Sequence, residues 1–155
     1  MASKAKSAGL LLYRIEGARP EVLLGHMGGP FWARKDDAAW SLFKGEHGPD
    51  EDPLAAARRE FEEETGSPPP DGPLLALGEV RQANGKRVTA WALEGDFDPA
   101  DLRSNTFTVE WPPRSGRYAD FPEVDRAEWF DLETARRKLV RAQAAFIDRL
   151  ESELA

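Results

Sequence analysis

GEHGPDEDPLAAARREFEEETGS, residues 45–67, holds the stretch on which the fold turns. Pro53 suits the first turn of a helix, and Asp50 or Asp52 can cap it. Gly66 suits the residue just past its end, and Pro68, Pro69 and Pro70 stop it from continuing. The helix is therefore expected over 53–65. Four carboxylates crowd its last turns: Glu60, Glu62, Glu63 and Glu64. With Glu60 at zero on a wheel turning about 100° per residue, Glu63 falls near ~300° and Glu64 near ~40°. These three share one face beside the apolar stripe of Leu54 and Phe61. Glu62 has Arg58 one turn before it, and Glu63 has Arg59. The Glu60–Glu64 pair has no helical counterion, which costs roughly 0.2–0.5 kcal/mol in solvent and more when partly buried. Such a run is commonly a solvated acidic face. The other reading is a site for a hard cation, because magnesium and manganese prefer oxygen ligands and carboxylates at i, i+3 and i+4 can converge on an ion.

The flanking sequence alternates between strands and helices. Residues 8–15 and 21–25 read as strands joined by a turn around Gly17 and Pro20. Residues 26–39, HMGGPFWARKDDAA, read as a loop, and WSLF at 40–43 as a short strand. Residues 74–82 and 86–95 form a hairpin around Ala83-Asn84-Gly85. The stretch 96–125 reads as mostly irregular, with one strand over 106–111. Residues 127–132, AEWFDL, form another strand, and the chain from 133 onward reads as helix. Interleaving of this kind indicates an α/β or α+β fold, and neither a repeat nor a linker divides residues 1–155, so a single domain is expected. The apolar positions of the last helix can cover the core or contribute to a homodimer.

Composition narrows the chemistry. Hydrophobic residues make up 41% of the 155 and charged residues 32%, the proportions of a soluble globular chain. Without cysteine there are no disulfides or thiolate metal sites, and His26 and His47 alone do not make a zinc site of the usual kind. The apolar run in MASKAKSAGLLLYR is too short for a signal peptide or a membrane span, so a cytoplasmic location is expected. A net charge of −7 repels nucleic acid and polyphosphates, so phosphate chemistry here needs bound cations or a local basic patch, and DNA is not an expected partner.

Residues 45–67 resemble the Nudix box: Gly, five residues, Glu, seven residues, then Arg-Glu-hydrophobic-any-Glu-Glu-any-Gly and a hydrophobic residue. Gly45, Glu51, Arg59, Glu60, Phe61, Glu63, Glu64 and Gly66 occupy those places, and Ser67 departs from the last one. The resemblance implies an α/β/α sandwich with a mixed β-sheet. It also implies divalent-metal-dependent hydrolysis (Mg2+ or Mn2+) of a phosphoanhydride in a nucleoside diphosphate-linked substrate. By position, Glu60, Glu63, Glu64 and the Gly45 carbonyl would hold metal, and Glu51 with Arg59 would brace the loop against the helix. One box glutamate, Glu63 or Glu64, or a distant carboxylate would activate the attacking water. Glu123 is the first candidate for that carboxylate, because the family often carries a glutamate before a segment like AEWFDL; Glu110 is the second.

Substrate clues lie outside the box. WSLFKGE at 40–46 resembles the entry to the box in dinucleoside polyphosphate and diphosphoinositol hydrolases, with Phe43 in place of a common proline. Lys44 can hold a phosphate as a point charge. Arg114 and Arg117 can bind the far end of a polyphosphate, and Trp111, Phe31 and Trp32 can stack on a base. The expected substrate is a dinucleoside polyphosphate first and a nucleoside triphosphate second. A nucleotide-sensing module without catalysis would be expected to lose box glutamates, all of which are here. An RNA-decapping role is disfavoured by the charge, and a purely structural acidic helix leaves the register of Gly45, Glu51 and Arg59 unexplained.

Overall fold

The computed structural model describes residues 6–155; the first five residues of the amino-terminal segment lie outside it. Its centre is β1 (Lys6–Glu16), antiparallel to β2 (Arg19–Met27) and β4 (Phe43–His47) and parallel to β6 (Arg87–Glu94). β5 (Leu74–Arg81) extends the sheet beyond β6, while β3 (Trp40–Ser41) and β9 (Val124–Asp131) both pair with β2. The sheet is therefore mixed. Because β1 is covered on both faces, its sequence is a continuous apolar run rather than an alternating one. Ala8, Leu10 and Leu12 face α1 (Pro53–Thr65), where they meet Ala56, Ala57 and Phe61. Leu11 and Tyr13 face the opposite layer of α2 (Leu132–Lys138) and α3 (Ala144–Leu154), packed through Leu132, Ala135, Phe146, Ile147 and Leu150. This is the expected α/β/α sandwich.

α1 spans the expected 53–65. The Asp52 carboxylate accepts a hydrogen bond from the Ala55 N–H at 3.0 Å, and Pro53 opens the first turn. Gly66 closes the helix at φ +84°, its N–H bonding to the Glu62 carbonyl at 2.7 Å. Phe61 is fully buried with its ring edge-on to Phe43 at 5.5 Å. Burial of a side chain this size contributes about 1.5–3 kcal/mol, and it fixes the rotation of α1 so that the glutamate face looks along β4.

Three expectations are corrected. WSLF is not one strand: Trp40 and Ser41 pair with β2, Phe43 starts β4 against β1, and the Leu42 N–H between them donates to Gln143 Oε1 at 3.1 Å. The stretch 96–125 is more regular than expected, because β7 (Thr106–Glu110) pairs with β8 (Tyr118–Pro122) as a separate hairpin, and Pro99–Asp101 form a 3-10 turn. The C-terminal region is two helices rather than one. Leu139 leaves the helix to bridge Trp40, and the Val140 N–H donates to the Trp40 carbonyl at 2.9 Å. Partners remote in sequence outcompete helix continuation there. The apolar positions of α3 cover the chain's own core, with Phe146, Ile147 and Leu150 fully buried.

Candidate functional site

β4 and α1 place the box residues on facing walls of one cleft of about 400 Å³. The Glu60 carboxyl lies flat against the backbone of Gly45. A Cβ at Gly45 would stand 2.0 Å from the Glu60 Cδ, so only glycine allows this approach. One turn later Glu64 Oε1 accepts the Lys44 N–H at 3.3 Å, which ties the helix face to the strand. Glu63 completes this wall.

Glu123 enters from the junction of β8 and β9, far away in sequence, and its backbone is held at both ends. Its N–H donates to the Asn105 carbonyl at 2.9 Å, and its carbonyl accepts the Gly28 N–H at 2.9 Å. Asn105 in turn donates its N–H to the Glu63 carbonyl at 2.9 Å, so the end of α1 and the Glu123 loop share one backbone bridge. Gly28 is required here: a Cβ would fall 1.8 Å from the Pro122 carbonyl oxygen. Neither Gly28 nor Asn105 was singled out as a site residue in the sequence. The Gly28-Gly29 pair is a weak signal of close backbone approach, and Asn105 carries none.

The cleft is charged and poorly solvated. Burial pushes the Glu64 carboxyl up to about 8, reinforced by Glu60 and Glu123 and opposed by Lys44. Burial and the Glu63 charge raise Glu60, against Arg59. Burial also raises Glu123, against the pull of Lys44. The same burial lowers Lys44, while Glu64 favours its charged form. Lys44 lines the same cleft.

Arg59 and Glu51 form a two-pronged ion pair, Nε to Oε2 and Nη2 to Oε1, each 3.0 Å. This ties the loop before α1 to its second turn. Arg59 Nη1 also donates to Glu60 Oε1 at 2.9 Å and to Glu63 Oε1 at 3.2 Å. These bonds hold the guanidinium well above its ordinary range, with Glu51 contributing most. Among the described residues no three acidic or imidazole groups are gathered closely enough to hold an ion as they stand, because Glu60 and Glu63 are turned to Arg59. The donor set nevertheless suits Mg2+ or Mn2+. Three carboxylates and a peptide carbonyl are hard oxygen ligands on one cleft, and Gly45 leaves no side chain in the way.

The candidates on the β7–β8 hairpin stand apart. Trp111, Arg114 and Arg117 lie at its turn, and none lines the cleft. Trp111 packs edge-on to Phe31 at 5.3 Å. Glu110 spends its carboxylate on the turn, accepting the N–H groups of Arg114 at 3.1 Å and Gly116 at 3.2 Å. Of the two distant carboxylates, only Glu123 reaches the cleft. Lys86, which also lines it, was not foreseen; it follows the Asn84-Gly85 turn and reaches the cleft through the pairing of β6 with β1.

The geometry has counterparts of known structure. An Ap4A hydrolase from C. elegans, solved as a binary complex, superposes with a TM-score of 0.65 at 23% identity, covering 97% of each chain. The NUDIX domain of Shewanella oneidensis NrtR, solved with ADP ribose, gives 0.67 at 15% identity over 100% of this chain and 91% of that one. A MutT protein from Methanosarcina mazei Go1 gives 0.63 at 23% identity over 99% of each. At these identities the likeness concerns the fold. No curated protein matches the sequence. The sequence profile of the NUDIX domain, however, matches residues 3–150, nearly the whole chain. That agrees with the register read in residues 45–67 and supports the expected enzyme class, a pyrophosphohydrolase. The chain belongs to the Nudix domain family.

Proposed function

We propose that this protein hydrolyses a phosphoanhydride bond in a nucleoside diphosphate-linked substrate with the help of Mg2+ or Mn2+, and that its substrate is a dinucleoside polyphosphate. The observation that carries the reading is the convergence of Gly45, Glu60, Glu63, Glu64 and Glu123, from three separate segments, on a cleft that also holds Lys44. Glu60, Glu63, Glu64 and the Gly45 carbonyl would hold the ions. Divalent ions held there would neutralise the phosphates, polarise phosphorus and lower the pKa of water.

The chain's own groups do the rest. The Lys44 ammonium takes a phosphate oxygen. The Glu123 carboxylate accepts a proton from the attacking water as the new P–O bond forms and the bridging P–O bond breaks. Its raised pKa brings it nearer to neutrality, where a general base is most effective. Glu51 and Arg59 act on the chemistry only by fixing the helix against the loop. An acidic protein thus meets an acidic substrate through the cations it binds.

The substrate class draws support from the WSLFKGE entry to the box and from the fold shared with the Ap4A hydrolase of C. elegans. The chemistry needs neither a membrane nor DNA; among the described residues no helix is long and apolar enough to span a bilayer. The test is incubation with Mg2+, then Mn2+, and a panel of diadenosine polyphosphates, nucleoside triphosphates, ADP-ribose and capped RNA, with products resolved by anion exchange. Asymmetric cleavage of a dinucleoside polyphosphate is expected. Monophosphate and pyrophosphate from a triphosphate would keep the chemistry and change the substrate, and no turnover of any compound would refute the enzyme.

A further inference from the structure

A second cavity of about 540 Å³ opens beside the carboxylate cleft, and Met27, Ser41, Lys44 and Lys86 line both. Its far walls come from Trp32 in the loop after β2, from the β5–β6 turn at Gln82 and Asn84, and from the α2–α3 link at Val140 and Ala142. The first cleft is polar and flanked by charge. The second offers an indole and aliphatic side chains, with the Arg141 side chain also on its wall, and its volume falls within the ~300–1,000 Å³ of small-molecule sites. A group joined to a phosphate chain that passes Lys44 and Lys86 would enter it.

The polarity of this cavity is fixed by a relay that begins at a backbone N–H. The Leu42 N–H can only donate, so the group of Gln143 that meets it at 3.1 Å is the carbonyl oxygen. The Gln143 amide nitrogen then faces the Ser41 hydroxyl at 3.0 Å and Gln82 at 3.1 Å. Because that nitrogen donates, the Gln82 atom receiving it is Oε1. The Gln82 NH2 is left without a hydrogen bond among the described residues. The same logic applies at Asn84, whose Oδ1 accepts the Lys86 N–H at 2.9 Å, so its NH2 is also left over. Gln143 is fully buried, so the start of the relay does not exchange with solvent. Gln82 and Asn84, which line the cavity with Trp32, thus each keep an NH2 without a protein partner among the described residues, and Asn84 is exposed at the rim.

We propose that this cavity holds the nucleobase of the substrate, stacked on Trp32, and that the free NH2 groups of Gln82 and Asn84 select a base edge made of acceptors, so that guanine is preferred to adenine. The inference rests on the pyrophosphohydrolase reading and refines its substrate. Guanine presents O6 and N7, both acceptors, whereas adenine presents N7 next to an N6 amino donor that would oppose another donor. A stacked aromatic wall serves either base, so discrimination comes from the amides.

Two measurements test this separately from the function. Calorimetric binding of GMP and AMP to the protein without metal is expected to favour GMP by about tenfold or more, the scale of one well-formed base contact. Turnover of diguanosine and diadenosine tetraphosphate with Mg2+ is expected to show the same ratio in kcat/KM. Gln82→Glu keeps an oxygen for Gln143 and turns the donor into an acceptor, so the guanine-to-adenine ratio is expected to collapse or invert. Trp32→Ala is expected to weaken both nucleotides and leave the ratio in place. Both ratios are internal to each variant, so a general loss of fold does not mimic the result. Equal binding of GMP and AMP, or a ratio unmoved by Gln82→Glu, overturns the proposal even if turnover is found. Selective GMP binding without any turnover sustains the base site and overturns the hydrolase. Neither binding nor turnover overturns both.

Discussion

Raising the pH of the metal-free protein from about 5 to about 9 is expected to destabilise it, and Glu64→Gln is expected to remove most of that loss. In the unfolded chain the Glu64 carboxyl loses its proton near its ordinary value of about 4.3. In the fold, burial beside Glu60 and Glu123 holds the proton on until about 8. Between those values the unfolded state binds fewer protons than the native state, so stability falls as pH rises, and the loss is complete once the native carboxyl has ionised. At 1.36 kcal/mol per unit, the interval sets a ceiling of about 5 kcal/mol for this one group, a large share of a domain's stability. Binding of Mg2+ should displace that proton, so its affinity should climb over the same interval. The assay is urea unfolding in EDTA at closely spaced pH values for the wild type and Glu64→Gln, repeated with Mg2+. The glutamine keeps an oxygen for the Lys44 N–H and has no proton to lose, so its curve should be flatter. A wild-type stability that does not fall across this range, or a slope shared by both proteins, would refute the reading of Glu64 as a buried carboxyl that keeps its proton in the fold.

Other variants separate chemistry from support. Glu123→Gln is expected to fold normally and lose about 10²–10⁴ in kcat, which steady-state kinetics at saturating Mg2+ will read. Arg59→Ala removes the two-pronged bond to Glu51, so it is expected to lower the unfolding free energy by about 0.5–1 kcal/mol as well as activity; undiminished thermal stability would show that the brace is idle. Gly45→Ala drives a methyl into the Glu60 carboxylate, 2.0 Å from its Cδ. Because Glu60 ends a flexible side chain it can swing away, so the expected result is weaker Mg2+ binding in a titration, with stability lowered by about 1–3 kcal/mol at most.

What the sequence disclosed and what it withheld divide by range of interaction. α1 was legible, with only the choice between Asp50 and Asp52 as its cap left open, because Pro53 and Gly66 each act on their own few neighbours. The β5–β6 hairpin was legible for the same reason, through Asn84-Gly85. Glu60, Glu63 and Glu64 could be put on one face by periodicity alone. The break in the C-terminal helix depends on Leu139 meeting Trp40, and the division of WSLF depends on Gln143 capturing the Leu42 N–H. Neither partner is near in sequence. Glu123 could be nominated by family pattern, but its place in the cleft is set by Gly28 and Asn105. Trp111, Arg114 and Arg117 have the chemistry of a phosphate and base site, and their position at the β7–β8 turn, outside the cleft lining, depends on a hairpin pairing that the sequence did not display.

The crowded glutamates also explain why Glu51 belongs to the pattern. Glu60 and Glu63 both accept from Arg59 Nη1, which offsets their mutual repulsion. An arginine bound only to those two would compete with any ion for them, because each withdrawn carboxylate would leave it short of a partner. Glu51 changes that balance. Its two 3.0 Å bonds occupy Nε and Nη2, the fork that matches a carboxylate, and leave Nη1 alone to reach Glu60 and Glu63. Nη1 lies on a side chain that is 41% exposed, so water can replace the departing carboxylates at small cost. The guanidinium can therefore hold the helix in place whether or not Glu60 and Glu63 are engaged elsewhere. The arginine directly before the first glutamate, with its acidic partner eight residues upstream, provides a brace that does not depend on the carboxylates beside it.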